Sequence, residues 1–250
     1  MRFISWQAVM AAMSFRPIWP TIIARSTATN AELFMTDLMS RFITLEGGEG
    51  VGKSTNIAAI ADFLRAGGDE VVVTREPGGT PYAEELRALL LSPRAELVMP
   101  SAELLTLFAA RAQHWHALIL PALARGAWVL SDRFVDATYA YQGAGRGLAV
   151  ADIAALEHWL LQGQQPGLTL LLDMPVVDGM ARARARAALD RFESEQLAFF
   201  ERVRAGYLAR AAADPQRMKR IDAAQPLAAV QADVLQVVST YQLAVNGVQA

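Results

Sequence analysis

Short apolar runs alternate with longer stretches of helical periodicity along most of this chain. The runs are Phe42, Ile43 and Leu45 within RFITLE, then EVVVT at 70–74, AWVLS at 127–131, LTLLL at 168–172, and a shorter stretch near 218–221. Continuous apolar runs of this length suit strands buried on both faces of a parallel sheet. Between the first two, Ile57, Ile60, Ala61 and Leu64 recur at helical spacing from Lys53 to Ala66, and Gly67-Gly68 follows as a left-handed cap would. Further helices are expected at 81–91, opened by Pro81, and at 101–125, where Pro121 should kink or interrupt the pattern. Others follow at 151–162, over a long stretch ending near 213, and at 226–243, while DATYAYQGAGRG at 136–147 reads as a polar and aromatic segment. Strands alternating with helices predict a three-layer α/β/α sandwich around a central parallel sheet.

The first strand opens into RFITLEGGEGVGKST at 41–55, and Gly47 to Ser54 satisfies the GxxxxGK[ST] spacing of a phosphate-binding loop. Gly47, Gly48, Gly50 and Gly52 let the backbone curl so that successive N–H groups, including those of Glu49 and Val51, point inward, and the following helix start favours negative charge. Lys53 can reach the β- and γ-phosphates, Ser54 can bind Mg²⁺ through its hydroxyl, and Thr55 follows in the first helical turn. The alternative, an ordinary glycine-rich turn, does not account for the preceding strand and following helix that the motif requires.

Composition narrows the field. A chain of 250 residues with 53% hydrophobic residues has material for one large domain or two small ones, and one early phosphate loop in an even chain argues for one. A net charge of −2 gives no sign of a nucleic-acid surface and points to small-molecule ligands. There are no cysteines, which excludes disulfides and thiolate metal sites and suits a reducing cytoplasm. Residues 1–39 differ from the rest: they contain Arg2, Arg16 and Arg25, no acid before Glu32, and no apolar run long enough to span a membrane. A targeting peptide would require a basic start, an apolar core and a cleavage site in order, which this stretch lacks. The expectation is a poorly ordered extension, followed by a single domain over 40–250.

A phosphate loop alone covers kinases, GTPases, motors and transporters. No NKxD-type guanine-reading segment is present, and there is no second half of the size a motor needs. Basic residues instead collect where strands should end: Arg75, Arg133, and the cluster Arg182, Arg184, Arg186 and Arg191. That much positive charge exceeds what one triphosphate needs and implies a second phosphorylated substrate. His114, His116 and His158 read as partly buried or surface residues without a role, and no His/carboxylate spacing suggests a fixed metal site.

TREPGGT at 74–80, LFAARAQH at 107–114, SDRFVDATYAYQGAGRG at 131–147 and RARARAALDRFE at 182–193 resemble the thymidylate kinases of bacteria, in that family's order, from about Arg41 to the C-terminus. The resemblance implies the phosphate-loop NTPase fold with a small arginine-rich lid at about 181–193, and transfer of a phosphoryl group from ATP to dTMP with Mg²⁺. It further implies a homodimer, in which the apolar helix from about 102 to 123 could supply the interface. Carried over residue by residue, it puts ATP on the loop at 47–55 with Arg182 beside it, and Glu49 near the monophosphate sugar. Pro77 would close a bend beside the substrate, in some relatives through a cis bond, with Arg75 and Arg133 on the acceptor phosphate. Asp132 would act through the Mg²⁺ shell together with Ser54. The thymine-reading pair would be Arg111 with an aromatic on the same helix face. Relatives place that aromatic one turn earlier, where this chain has Leu107, so Phe108 is the candidate. Thr138 and Gln142 match positions around the base. Because GGEGVG has no arginine, Arg184 and Arg186 would supply the charge that spreads over the transferring group. The rival readings are another nucleoside or nucleotide kinase, and a regulatory or partitioning ATPase that hydrolyses ATP without an acceptor.

Overall fold

The structure, a computed structural model, describes residues 38–186 and 195–248. The expected N-terminal extension, apart from its last two residues, and positions 187–193 of the expected lid, Arg191 among them, lie outside the described residues.

Five parallel strands form the central sheet: β1 (Phe42–Glu46), β2 (Val71–Arg75), β3 (Trp128–Asp132), β4 (Leu168–Asp173) and β5 (Met218–Asp222), in the order β2-β3-β1-β4-β5. β1 and β4 are buried along their whole length, as near-continuous apolar runs require of a covered parallel sheet. The run at 70–74 does not behave this way. β2 is an edge strand with Val73 46% exposed, because its β-branched residues suit any strand and local pattern carries no information about position in the sheet.

Helix α1 (Lys53–Ala66) follows β1, α2 (Pro81–Leu91) follows β2, and α3 (Pro100–His114) runs on towards β3. Pro121 neither ends nor breaks the long helical stretch. It lacks an N–H and its ring would crowd the preceding turn, and the chain opens to π-helical spacing over Trp115–Ile119 before α4 (Leu120–Ala124). The N–H of Leu120 reaches back to the carbonyl of Trp115.

After β3, the polar and aromatic segment, assigned no element from the sequence, is helical: α5 (Val135–Thr138) leads into a π-helical stretch, Tyr139–Gly145. Its glycines are packing residues. A Cβ on Gly145 would lie 2.7 Å from the Phe199 ring, and one on Gly206 would lie 2.8 Å from Ala144, so this stretch and α8 (Leu197–Ala213) approach too closely for side chains there. The chain continues through α6 (Val150–Leu161), α7 (Val176–Arg186) and the final α9 (Leu227–Val248).

Two apolar layers clamp the sheet. Ile57, Ile60 and Leu64 of α1 and Val230, Val234 and Val238 of α9 pack with Ile43, Leu45 and Leu130. On the other side, Leu104, Trp115, Leu123 and Ile153 pack with Phe42 and Val129. β1 and β3 are neighbours whose onward connections leave in opposite directions, one to β2 and the other to β4. Such a switch point leaves a crevice beyond the carboxyl ends of the two strands.

Candidate active site

Glu46 closes β1, and the next residues turn sharply enough to need glycine. Gly47 has φ 137°, Gly50 69° and Gly52 90°, and a Cβ on Gly50 would lie 2.0 Å from the Gly179 carbonyl oxygen. The turn wraps Lys53, whose Nζ donates to the carbonyls of Gly48 (2.8 Å) and Gly47 (3.3 Å). Burial, and next the Arg133 charge, lower the Lys53 pKa. Ser54 and Thr55 are exposed at the start of α1.

β3 delivers a second set of groups. Arg133 takes the left-handed conformation, φ 70°, with its N–H on the carbonyl of Leu45 and the next N–H, of Phe134, on Glu46 Oε1 at 2.7 Å. The Arg133 guanidinium bonds Glu49 Oε1 (2.6 Å), the Gly47 carbonyl (3.0 Å) and the Tyr207 hydroxyl (3.0 Å), and lies over the Tyr141 ring. Burial opposes its charge, yet Tyr141, Glu49, Tyr207 and Asp132 hold its pKa above the ordinary arginine value. Tyr141 donates to the same oxygen of Glu49, and Tyr207 donates to Glu46 Oε2 at 2.8 Å. Glu46 is fully buried. Desolvation, with the Asp136 charge next, pushes its carboxyl from 4.5 up to about 8 against Arg133 and the bonds from Tyr207 and Phe134. Beside this network, Asp132 has one buried oxygen, Oδ1, with no hydrogen-bond partner.

The third set surrounds Arg111 on α3. Its Nε donates to Glu76 Oε2 (2.7 Å), and its Nη2 to Thr138 Oγ1 (3.0 Å) and to the Phe134 carbonyl (3.3 Å), while Nη1 is buried without a partner. Glu76 Oε1 meets His114 Nδ1 at 3.1 Å, and His114 Nε2 meets the Thr74 hydroxyl at 2.7 Å. Desolvation works to raise the Glu76 pKa, but Arg111 and the His114 bond outweigh it and hold the carboxyl below its usual range. His114 is thus fully buried and bonded at both nitrogens, which corrects its reading as a partly buried or surface residue without a role. The Glu76–Pro77 peptide is cis. Glu84 ties down the loop after it, accepting from the Gly79 N–H and from Arg75, each at 2.9 Å.

These sets share one cavity of about 620 Å³. Of the residues singled out from the sequence, it is lined by Glu49 through Thr55, by Arg75, Pro77 and Arg111, and by Asp132, Arg133, Thr138 and Gln142. Gly47 and Gly48 shape the loop without facing the cavity. Phe108 is a correction: it is a core residue with its ring under the Arg111 guanidinium, 4.8 Å from centroid to Cζ, and Leu107 lines the cavity in its place. The rotation of α3 decides this, since Leu107 and Arg111, four residues apart, share the stripe that faces the cavity. Arg182 and Arg184 are exposed on α7 and do not line the cavity, and Arg182 donates to the Ala223 carbonyl. Arg186 ends α7, and its side chain is outside the described residues. Sequence reasoning missed Glu46, Glu103, Tyr141 and Tyr207. Glu76 stood in the quoted TREPGGT motif but was assigned nothing. Among the described residues, no group of three or more His, Cys, Asp or Glu side chains could hold a metal, and no helix is long and apolar enough to cross a membrane.

Comparison with known proteins gives one answer throughout. The profile of the thymidylate kinase family matches residues 45–234. The thymidylate kinase of Teredinibacter turnerae is 63% identical over 198 residues, 79% of this chain and 96% of that protein. The thymidylate kinase of Alcanivorax borkumensis is 57% identical over 205 residues, 82% of this chain and 99% of that protein. The crystal structure of thymidylate kinase from Ehrlichia chaffeensis superposes with a TM-score of 0.64 at 31% identity, covering 80% of this chain and 97% of that one.

Proposed function

The chain belongs to the thymidylate kinase family, and on that premise we propose how this cavity carries a phosphoryl group from ATP to dTMP and yields dTDP. The observation that carries the reading is the pair of unpartnered buried atoms at this site, the donor Arg111 Nη1 and the acceptor Asp132 Oδ1, in a cavity that also holds the phosphate loop. Buried polar atoms left without a protein partner are rare in a folded chain and mark places where a ligand completes the bonding.

ATP takes the loop at 47–55, where Lys53 exchanges its two carbonyl acceptors for phosphate oxygens and the start of α1 favours the negative charge. Ser54 and Asp132 are the oxygen donors that would hold Mg²⁺, a cation that prefers such ligands together with substrate phosphates and would neutralise charge on them when bound. At the other end, Arg111 Nη1 meets the thymine O4, an acceptor, with Thr138 and Gln142 completing the base site. Arg75 and Arg133 flank the path between base and loop and take the acceptor phosphate, with Glu49 facing the sugar beside Arg133. Arg133 is a fixed positive charge there, because its guanidinium is already held by Glu49, Gly47 and Tyr207. Arg184 and Arg186 contribute charge to the transferring group when α7 moves towards it, with Arg182 following on the ATP side.

Enzyme, Mg²⁺, ATP and dTMP incubated together should form one dTDP per ATP consumed. Consumption of ATP with free phosphate and no dTDP would overturn the reading in favour of a hydrolysing ATPase. We further infer a homodimer, supported by the large apolar side chains left exposed on α3 and α6, Leu105 at 58% and Trp159 at 74%, and a cytoplasmic location, with which the lack of cysteines agrees. Sedimentation giving a monomer at working concentration would refute the assembly.

A further inference from the structure

We propose that Glu103 sets the base selectivity of the cavity by fixing which end of the Gln142 amide faces the base. Glu103 is on α3 and only 1% exposed, yet it does not line the cavity. Its Oε1 accepts a hydrogen bond from Gln142 Nε2 at 2.8 Å, and its carboxylate is paired with Arg146 through Nε (3.3 Å) and Nη2 (3.5 Å). A carboxylate offers only acceptors, so the amide must present its NH₂ end to Glu103. The carbonyl end, Oε1, is left for the cavity that Gln142 does line, and no protein donor reaches it among the described residues.

The site therefore presents one acceptor, Gln142 Oε1, and one donor, Arg111 Nη1. Thymine carries the complementary pair, an N3–H donor next to the O4 acceptor. Cytosine carries the reverse pair, an N3 acceptor next to an amino donor, and would leave both protein groups facing their own kind. An amide can turn end for end at little steric cost, so Gln142 alone would accept either base by flipping. Glu103 removes that choice. It acts as a positioning residue, through Gln142, and the inference rests on the reading that the base lies against Arg111 and Gln142.

The test measures kcat and KM for dTMP and dCMP in four proteins: the parent, Glu103→Gln, Gln142→Leu and the double variant. In Glu103→Gln the new amide can donate or accept, so Gln142 is free to flip. The dTMP-over-dCMP ratio of kcat/KM should fall about tenfold, the scale of one buried hydrogen bond. The KM for dCMP, lowered as Gln142 turns its NH₂ end to the base, should carry most of that change. In the Gln142→Leu background the same substitution should leave the ratio within about twofold. An equal loss in both backgrounds would mean that Glu103 supports the structure generally, and no loss in Glu103→Gln alone would mean that it plays no part in selectivity; either overturns the proposal. If Gln142→Leu itself keeps the parent ratio, the base-site reading fails as well. Glu103→Met, of similar size and without acceptors, should reproduce the loss and serves where Glu103→Gln does not fold, with Arg146 keeping its pairing to Glu195.

Discussion

Replacing Glu46 with glutamine should make the stability of this protein less sensitive to pH. Glu46 is fully buried, and its carboxyl is raised from 4.5 to about 8, first by loss of hydration and then by the Asp136 charge. The native chain therefore holds a proton at neutral pH that the unfolded chain has released. The stability tied to this proton is fully present below about pH 4.5, declines as pH rises, and is lost once pH passes the folded value near 8. At about 1.4 kcal/mol for each pH unit between the two values, the whole decline is on the order of 4–5 kcal/mol. Glutamine has the shape of the protonated acid, keeps an acceptor for the Phe134 N–H, and has no proton to lose. Parent and variant should thus differ little at pH 5, and the variant should become progressively the more stable of the two towards pH 8. Denaturant midpoints at pH 5, 6, 7 and 8 with unchanged m-values give the difference directly. Glu76, Asp173 and Asp214 have lowered pKa values in the native state, titrate below this window and cancel between the two proteins. Parallel profiles across the four pH values would refute the argument and mean that Glu46 is ionised in the fold.

Three further outcomes follow from the same geometry. Lys53→Ala should lower kcat by more than tenfold, about 1.4 kcal/mol, because it removes the ammonium that the loop carbonyls of Gly47 and Gly48 hold at the phosphate site; a smaller loss in steady-state assays refutes the assignment. Arg111→Ala removes the unpartnered donor and strands the buried Glu76 carboxylate, so the KM for dTMP should rise about tenfold or more and the melting temperature should fall by several degrees, measured kinetically and by calorimetry. The Arg184→Ala/Arg186→Ala double variant should lose up to about 10³-fold in kcat with little change in the KM for dTMP, as for a lost arginine finger; a parent-like rate would make these residues a solvated helix face.

What could be read from the sequence was local. The phosphate loop is legible because its glycine positions, lysine and flanking strand and helix all lie within 41–55 and obey short-range rules. The buried strands β1 and β4 are legible for the same reason. β2 is legible as a strand but not as an edge strand, since a run of three valines reads alike in the middle or at the edge of a sheet, and only the strand order distinguishes the two. Phe108 was misplaced by a single step along α3: spacings of three and four both put a side chain near Arg111, and the packing of Phe108 into the core with Trp115 and Phe134 turns Leu107 to the cavity instead. The stretch at 139–145 has no helical periodicity of apolar residues to read, and the reason for Gly145 lies on α8.

What the sequence does not show is the pairing of acids with the arginines and with Gln142. Arg111 meets Glu76 across 35 positions of sequence and Arg133 meets Glu49 across 84, while Gln142 meets Glu103 across 39. No periodicity links such pairs. They become visible only when the sheet order brings the ends of β1, β2 and β3 together, so from the sequence alone Arg75 and Arg133 have only a substrate phosphate as an anionic partner. In the fold, Arg75, Arg111 and Arg133 each already have a carboxylate. A guanidinium held this way has less freedom to lose when substrate arrives, so the acids preorganise the cations. Arg111 is held on Nε and Nη2 and open on Nη1, which leaves one direction for a ligand to approach. The acids of this site thus determine where the visible arginines point, and selectivity is expected to be as sensitive to Glu76 and Glu103 as to the residues that touch the base.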